Sequence, residues 1–140
     1  MSIKDINKRL VREFFMNLEE GSAEGVANLF AEDGLHINPY ASGLFPEGVK
    51  GRDAIKKYWE GPIENFDGMT FPIDEIYAME DEKIVFVKFT GNINLKDGGV
   101  YSNDYYSTFK FDDNHEIIEY VEIFNPIVAA RGFGLIDQIK

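Results

Sequence analysis

The sequence predicts an α+β fold, with three N-terminal helices packed on a curved, mainly antiparallel sheet of four to six strands and residues 1–140 forming one domain. Three observations lead there. Apolar residues recur at a helical period from Ile3 to Leu18, and the period changes to alternation after Gly68. The last four apolar runs are joined by connections short enough to require antiparallel neighbours.

In the first helix, Ser2 to Glu20, Ile3, Ile6, Leu10, Phe14 and Leu18 share a stripe that Val11 and Phe15 broaden. Gly21 ends it. Ser22 caps a second, short helix, whose Val26, Leu29 and Phe30 carry it to an Ala31-Glu32-Asp33-Gly34 turn. Leu35 to Asn38 is a short strand stopped by Pro39, and residues 39–51, rich in Gly, Pro and aromatics, form a loop. Gly51-Arg52-Asp53 opens the third helix, with Ala54, Ile55, Tyr58 and Trp59 on its apolar face, and Gly61-Pro62 breaks it. Met69 to Met79, Lys83 to Leu95, Val100 to Phe111 and Glu116 to Asn125 then read as strands. Helices on the concave side of such a sheet make a cone, whose interior suits a small-molecule ligand.

Composition narrows the function classes. A 44% hydrophobic fraction with 12 Phe, 7 Tyr and 1 Trp describes an aromatic-rich globular core. The net charge of -11 repels phosphate backbones and anionic lipid, so nucleic acid and membrane surfaces are not expected partners. There is no cysteine, hence no disulfide or thiolate chemistry, and the N-terminus lacks the apolar stretch of a signal peptide, so a cytoplasmic location is expected. The two histidines lie far apart outside any metal-binding spacing, and no glycine-rich phosphate loop or nucleophile elbow occurs, so neither metal nor cofactor is expected. His115, in an acidic hairpin turn, is expected to face solvent.

The most informative residue is Glu122. Alternation puts it on one strand face with Ile118, Tyr120 and Phe124, while Glu119 shares the other face with Ile117, Val121 and Ile123. Both faces are mostly apolar with one glutamate, so alternation alone leaves open which one points inward. An inward carboxyl would have the raised pKa that general acid/base chemistry needs near neutrality, whereas a glutamate paired across the sheet would be structural.

The order of helices, the Leu29-Phe30-Ala31-Glu32-Asp33-Gly34 segment, the strand ending at Pro39, Gly51-Arg52 and the meander resembles the nuclear-transport-factor-2-like superfamily, a cystatin-like cone. Within it, Tyr101-Ser102-Asn103, Glu122-Ile123-Phe124-Asn125-Pro126 and Arg131-Gly132-Phe133-Gly134 resemble the end of the phenazine-biosynthesis condensing proteins. That resemblance implies that Glu122 acts as acid/base inside the cone, and Glu122 also approximates the acidic base of SnoaL-like polyketide cyclases. Set against the ketosteroid isomerase pattern, the functional tyrosine, base and aspartic acid fall at Phe14, Asn38 and Ser107, so steroid isomerisation by that mechanism is not implied.

The candidate catalytic residues are therefore Glu122, Asn103, Tyr101 and His36, with Tyr40, Trp59, Tyr105, Ser107 and Phe124 as pocket residues. Inward odd positions on the Tyr101 to Phe111 strand would let Asn103 donate to a substrate oxygen and Tyr101 or Tyr105 relay a proton. A structural role for Asn103, the tyrosines and His36 is the alternative. Tyr40, Phe45, Tyr58 and Trp59 could form the pocket mouth with the glycine-rich loop as a lid, and ordinary helix-to-sheet packing explains Tyr58 and Trp59 equally well. Two functions follow: a cofactor-independent isomerase, cyclase, dehydratase or condensing enzyme acting next to a carbonyl, or a non-catalytic ligand-binding or dimerisation module. The resemblance implies a homodimer, with a second copy covering the outer sheet face.

Overall fold

The computed structural model describes residues 1–140. Helix α1, Ile3–Glu19, is capped by Ser2, whose Oγ accepts from the Asp5 backbone N–H at 3.1 Å, and α2, Ala23–Ala27, is capped in the same way by Ser22. The chain then enters β1, Phe30–Ile37, where a turn over residues 31–34 was expected. The glycine signal was misleading. Gly34 lies so close to β7, Ile117–Phe124, that an added Cβ would meet the Ile117 carbonyl at 2.8 Å, so this glycine permits strand approach. A register irregularity between Phe30 and Leu35 absorbs the intervening residues.

The expected loop over residues 39–51 contains β2, Gly48–Lys50, antiparallel to β1. Gly51, with φ 93°, precedes α3, Arg52–Asn65, where Arg52 donates to the Phe30 carbonyl and pairs with Glu116, both contacts tying the helix to the sheet. Helix α3 runs through Pro62 instead of breaking there. Pro62 deprives the Tyr58 carbonyl of its helical donor, and the burial of Ile55 and Trp59 offsets that loss. Beyond it, Phe71-Pro72 divides the expected Met69 to Met79 strand into β3, Met69–Thr70, and β4, Ile73–Ala78, because Pro72 has no N–H for the ladder. Strands β5, Ile84–Asn94, and β6, Val100–Phe111, complete the meander. A fourth helix that was not expected, α4, Pro126–Gly132, follows β7.

The seven strands form one curved sheet in the order β2-β1-β7-β6-β5-β3, with β4 also on β5. Only the β1–β7 pairing is parallel. Strand β7 therefore lies between β1 and β6, near the middle of the sheet. No helix is long and apolar enough to cross a membrane.

Phe14 is the centre of the packing. It is fully buried, with the rings of Phe15, Phe109 and Tyr120 about 5 Å away and those of Phe30 and Trp59 near 6 Å, joining α1 to α3 and three strands. Truncation would leave a cavity between layers that cannot collapse independently. Phe14→Ala should lower the unfolding free energy by about 3–5 kcal/mol in urea titrations; a loss below about 1 kcal/mol would show that these layers do not depend on it.

Candidate active site

The inward face of β6 is built by strict alternation. Tyr101, Asn103, Tyr105, Ser107, Phe109 and Phe111 are buried, while Ser102, Asp104, Tyr106 and Lys110 are exposed. On β7 the same rule buries Tyr120, Glu122 and Phe124 and turns Glu119 outward, opposite Lys110. The question alternation left open is thus settled by cross-strand register. Ile117 is buried as well because the β6–β7 register shifts beside it.

Between these strands and α3 lies a cavity of about 510 Å³. Its walls are largely aromatic, including Phe45, Trp59, Phe66, Phe71 and Phe124, and Glu122 supplies the only carboxyl. No Lys, Arg or His reaches the lining, and Tyr58, Tyr101 and Tyr105 supply its hydroxyls. Helix α4 and the segment after it close one end with Phe133 and Leu135. The Asn-Pro signal for that helix was present in the sequence: Asn125 Oδ1 accepts from the N–H groups of Ile127 and Val128, with Pro126 in the first turn.

Glu122 is 8% exposed, and its Oε2 accepts a hydrogen bond from the Tyr120 hydroxyl at 2.8 Å. Burial pushes its carboxyl up to about 7, the single hydrogen bond from Tyr120 opposing the rise without cancelling it. Tyr120, fully buried, is pushed well up by the same desolvation and by the Glu122 charge, so it stays a phenol and a donor. Sequence reasoning placed Tyr120 on the right face without giving it this role.

Tyr101 and Tyr105 form a pair with their oxygens 3.0 Å apart. Asn103 lies behind them. Its Nδ2 donates to Tyr101 Oη at 2.7 Å and to the Asn125 carbonyl at 2.9 Å, while its Oδ1 accepts from the Asp104 N–H. Both amide hydrogens are spent within the protein, so the expected direct donation from Asn103 to a substrate is corrected to support of Tyr101. Two glycines, Gly91 and the Gly132 of the closing segment, seat these rings, a role the sequence did not assign to either. An added Cβ would meet Tyr105 at 2.7 Å from Gly91 and Tyr101 at 2.6 Å from Gly132.

The remaining candidates divide. Trp59 and Phe124 line the cavity. His36 does not: it is fully buried between Tyr58, Trp59 and Tyr120, and burial lowers its pKa to about 3, so it is a neutral ring packed behind the wall. Ser107 is buried opposite Glu122 on the adjacent strand but off the cavity surface; its Oγ stands near the Tyr120 hydroxyl without hydrogen-bond geometry to it. Tyr40 is 53% exposed and outside the lining, because the chain turns outward after Pro39. His115 is half-buried where solvent exposure was expected, its Nδ1 2.9 Å from Oδ1 of the buried Asn7. Arg131 is exposed and does not reach the cavity.

A family model described as a SnoaL-like domain matches residues 11–120. The fold is similar to that of a candidate isomerase from Bacillus subtilis, with TM-score 0.87, 23% identity and coverage of 96% of this chain and 97% of that one. It is also similar to a phenazine biosynthesis-related protein from Pseudomonas aeruginosa, with TM-score 0.82, 22% identity and 99% and 87% of the two chains covered. A pinacolase from Penicillium brevicompactum has TM-score 0.84 at 8% identity, with 96% of each chain covered. Among proteins of curated function, none matches by sequence. At these identities the structural likenesses show the fold.

The raised pKa of Glu122 ties stability to pH. The folded chain holds a proton that the unfolded chain releases near 4.5, so this contribution is complete below 4.5 and is lost as pH rises through about 7. Glu122→Gln removes the titration. Urea unfolding at pH 5 and pH 8 should show the variant gaining about 2.5 kcal/mol on the parent at the higher pH; an equal difference at both pH values would mean an ordinary carboxyl.

Proposed function

We propose that this chain, which belongs to the SnoaL-like domain family, is an enzyme that moves a proton next to a carbonyl of a small, largely apolar molecule. The observation that carries this reading is Glu122: one carboxyl, with a pKa near 7, in an aromatic cavity whose other polar groups are tyrosine hydroxyls. A base poised near neutrality is available in both protonation states, as proton removal followed by proton return requires.

The chemistry follows from these groups alone and is proposed as cofactor-independent. The Glu122 carboxylate takes the proton from a carbon beside the carbonyl, and the C–H electron pair moves into that carbonyl, leaving negative charge on its oxygen. The Tyr101–Tyr105 pair meets that charge: two hydroxyls with one hydrogen bond between them leave one O–H hydrogen to donate. Returning the proton to another carbon completes an isomerisation; expelling a hydroxyl, which leaves as water with the same proton, completes a dehydration; attack on a second carbonyl closes a ring, the proton passing from Glu122 to the new alkoxide oxygen. The aromatic walls exclude water from the enolate.

A test of this step requires no natural substrate. Incubated in D₂O with 2-tetralone, the protein should accelerate deuterium uptake at the carbons beside the carbonyl, more above pH 7 than below. Glu122→Gln should slow the uptake by about 100-fold or more. Equal rates for parent and variant would remove Glu122 as the base, and ligand binding without exchange would favour a non-catalytic binding module.

We also infer a homodimer formed through the outer sheet face. Tyr77 and Tyr106 are about half exposed there, with Phe86 stacked on Tyr77, giving an aromatic surface for a second copy to cover. Light scattering at micromolar concentration should return twice the chain mass; a monomer would contradict this.

A further inference from the structure

A second hydroxyl faces the same cavity by a separate route. Asn38, one residue beyond β1 and 1% exposed, has its orientation set by a neighbour of single polarity: its Nδ2 lies 2.9 Å from the Pro46 carbonyl, which can only accept. Its Oδ1 therefore faces His36 Nε2 at 3.1 Å, which places the imidazole hydrogen on Nε2. The remaining Nδ2 hydrogen goes to Tyr58 Oη at 3.3 Å. Tyr58 thus accepts at its oxygen, and its own hydrogen has no acceptor in the chain. Since Tyr58 lines the cavity, that hydrogen is available to a ligand.

The two hydroxyl stations are anchored from strands on either side of the one that carries the acid. Strand β7, carrying Glu122, runs between β1 and β6. Tyr58 is held from the β1 side through Asn38, and the Tyr101–Tyr105 pair is held from β6 through Asn103. Each station is anchored by an asparagine whose amide hydrogens are fully used and whose orientation cannot flip without facing like polarity. The absence of any cation from the lining adds a charge constraint. A carboxylate or phosphate ligand would face Glu122 without compensation, so the cavity disfavours an anionic one.

We propose that Tyr58 is a second oxygen-binding group of the site, aimed by Asn38 as its positioning residue, and that the cavity selects a non-anionic ring compound with two oxygen acceptors, one on each side of Glu122. This selection rests on the acid/base reading of the site and adds to it which molecules the acid meets. His36 is part of the device. It fixes the Asn38 oxygen and, being neutral across the ordinary pH range, does not reverse the polarity of the relay.

Matched ring pairs that differ by one oxygen test the proposal by calorimetry at pH 6: 1-indanone against 1,3-indanedione, and 1-tetralone against 4-hydroxy-1-tetralone. In at least one pair the second oxygen should tighten binding about tenfold, the worth of one added hydrogen bond. Tyr58→Phe should bring that ratio to near one while leaving the one-oxygen partner's affinity within about twofold. Asn38→Asp, which keeps the shape but replaces a donor by an acceptor, should turn the Tyr58 hydrogen away and collapse the ratio in the same way. Tyr58→Phe alone suffices if the buried aspartate prevents folding. Equal affinities within both pairs, no binding by any of the four, or a ratio unchanged in Tyr58→Phe would overturn the proposal. None of those results alters the exchange test of Glu122, and persistence of exchange in Glu122→Gln would sink the acid/base reading while leaving these ratios as measured.

Discussion

The hydrogen bond from Tyr120 to Glu122 joins the core of this protein to its candidate site. Tyr120 is held on all sides, its ring stacked 4.3 Å from Phe109 and packed against Phe14 and His36, so its hydroxyl has little freedom. A buried phenol needs an acceptor and a buried carboxyl needs a donor, and each meets the other's requirement at 2.8 Å. One hydrogen bond is nevertheless less than a carboxylate enjoys in water. Desolvation therefore wins, and the acid is left near neutrality instead of being locked in its charged form.

The tyrosines facing the cavity depend on a related constraint. A hydroxyl rotates freely until something fixes its oxygen, and Asn38 and Asn103 do so with amides oriented by backbone groups of fixed polarity, the Pro46 carbonyl for Asn38 and the Asn125 carbonyl and Asp104 N–H for Asn103. Close approach completes the arrangement on β6, where Gly91 and Gly132 leave room for the Tyr105 and Tyr101 rings. The polar face of the site is thus held from behind, and hydroxyl hydrogens remain for a ligand.

Much of this was legible in the sequence, for physical reasons that vary by residue. The β6 alternation was plain because its outward residues are polar and its inward ones mostly aromatic. On β7 both faces are apolar, so the pattern could not choose between Glu119 and Glu122; the outward pairing with Lys110 is a register fact that appears only once strands are aligned. Gly34 and Pro62 were read by local propensity as a turn and a break, and tertiary packing overrode both. Tyr40 and His36 each lie two positions from Asn38, yet one turns outward and the other packs behind the wall. The relay through Asn38 to Tyr58 spans twenty positions and leaves no periodic signal.

The central claim is that burial holds the Glu122 carboxyl near neutrality. The most direct measurement is a ¹³C NMR titration of the glutamate side-chain carboxyls, with the Glu122 signal assigned by its loss in Glu122→Gln. A midpoint near pH 7 is the result this account predicts. A midpoint at or below the ordinary value of about 4.5 would contradict it.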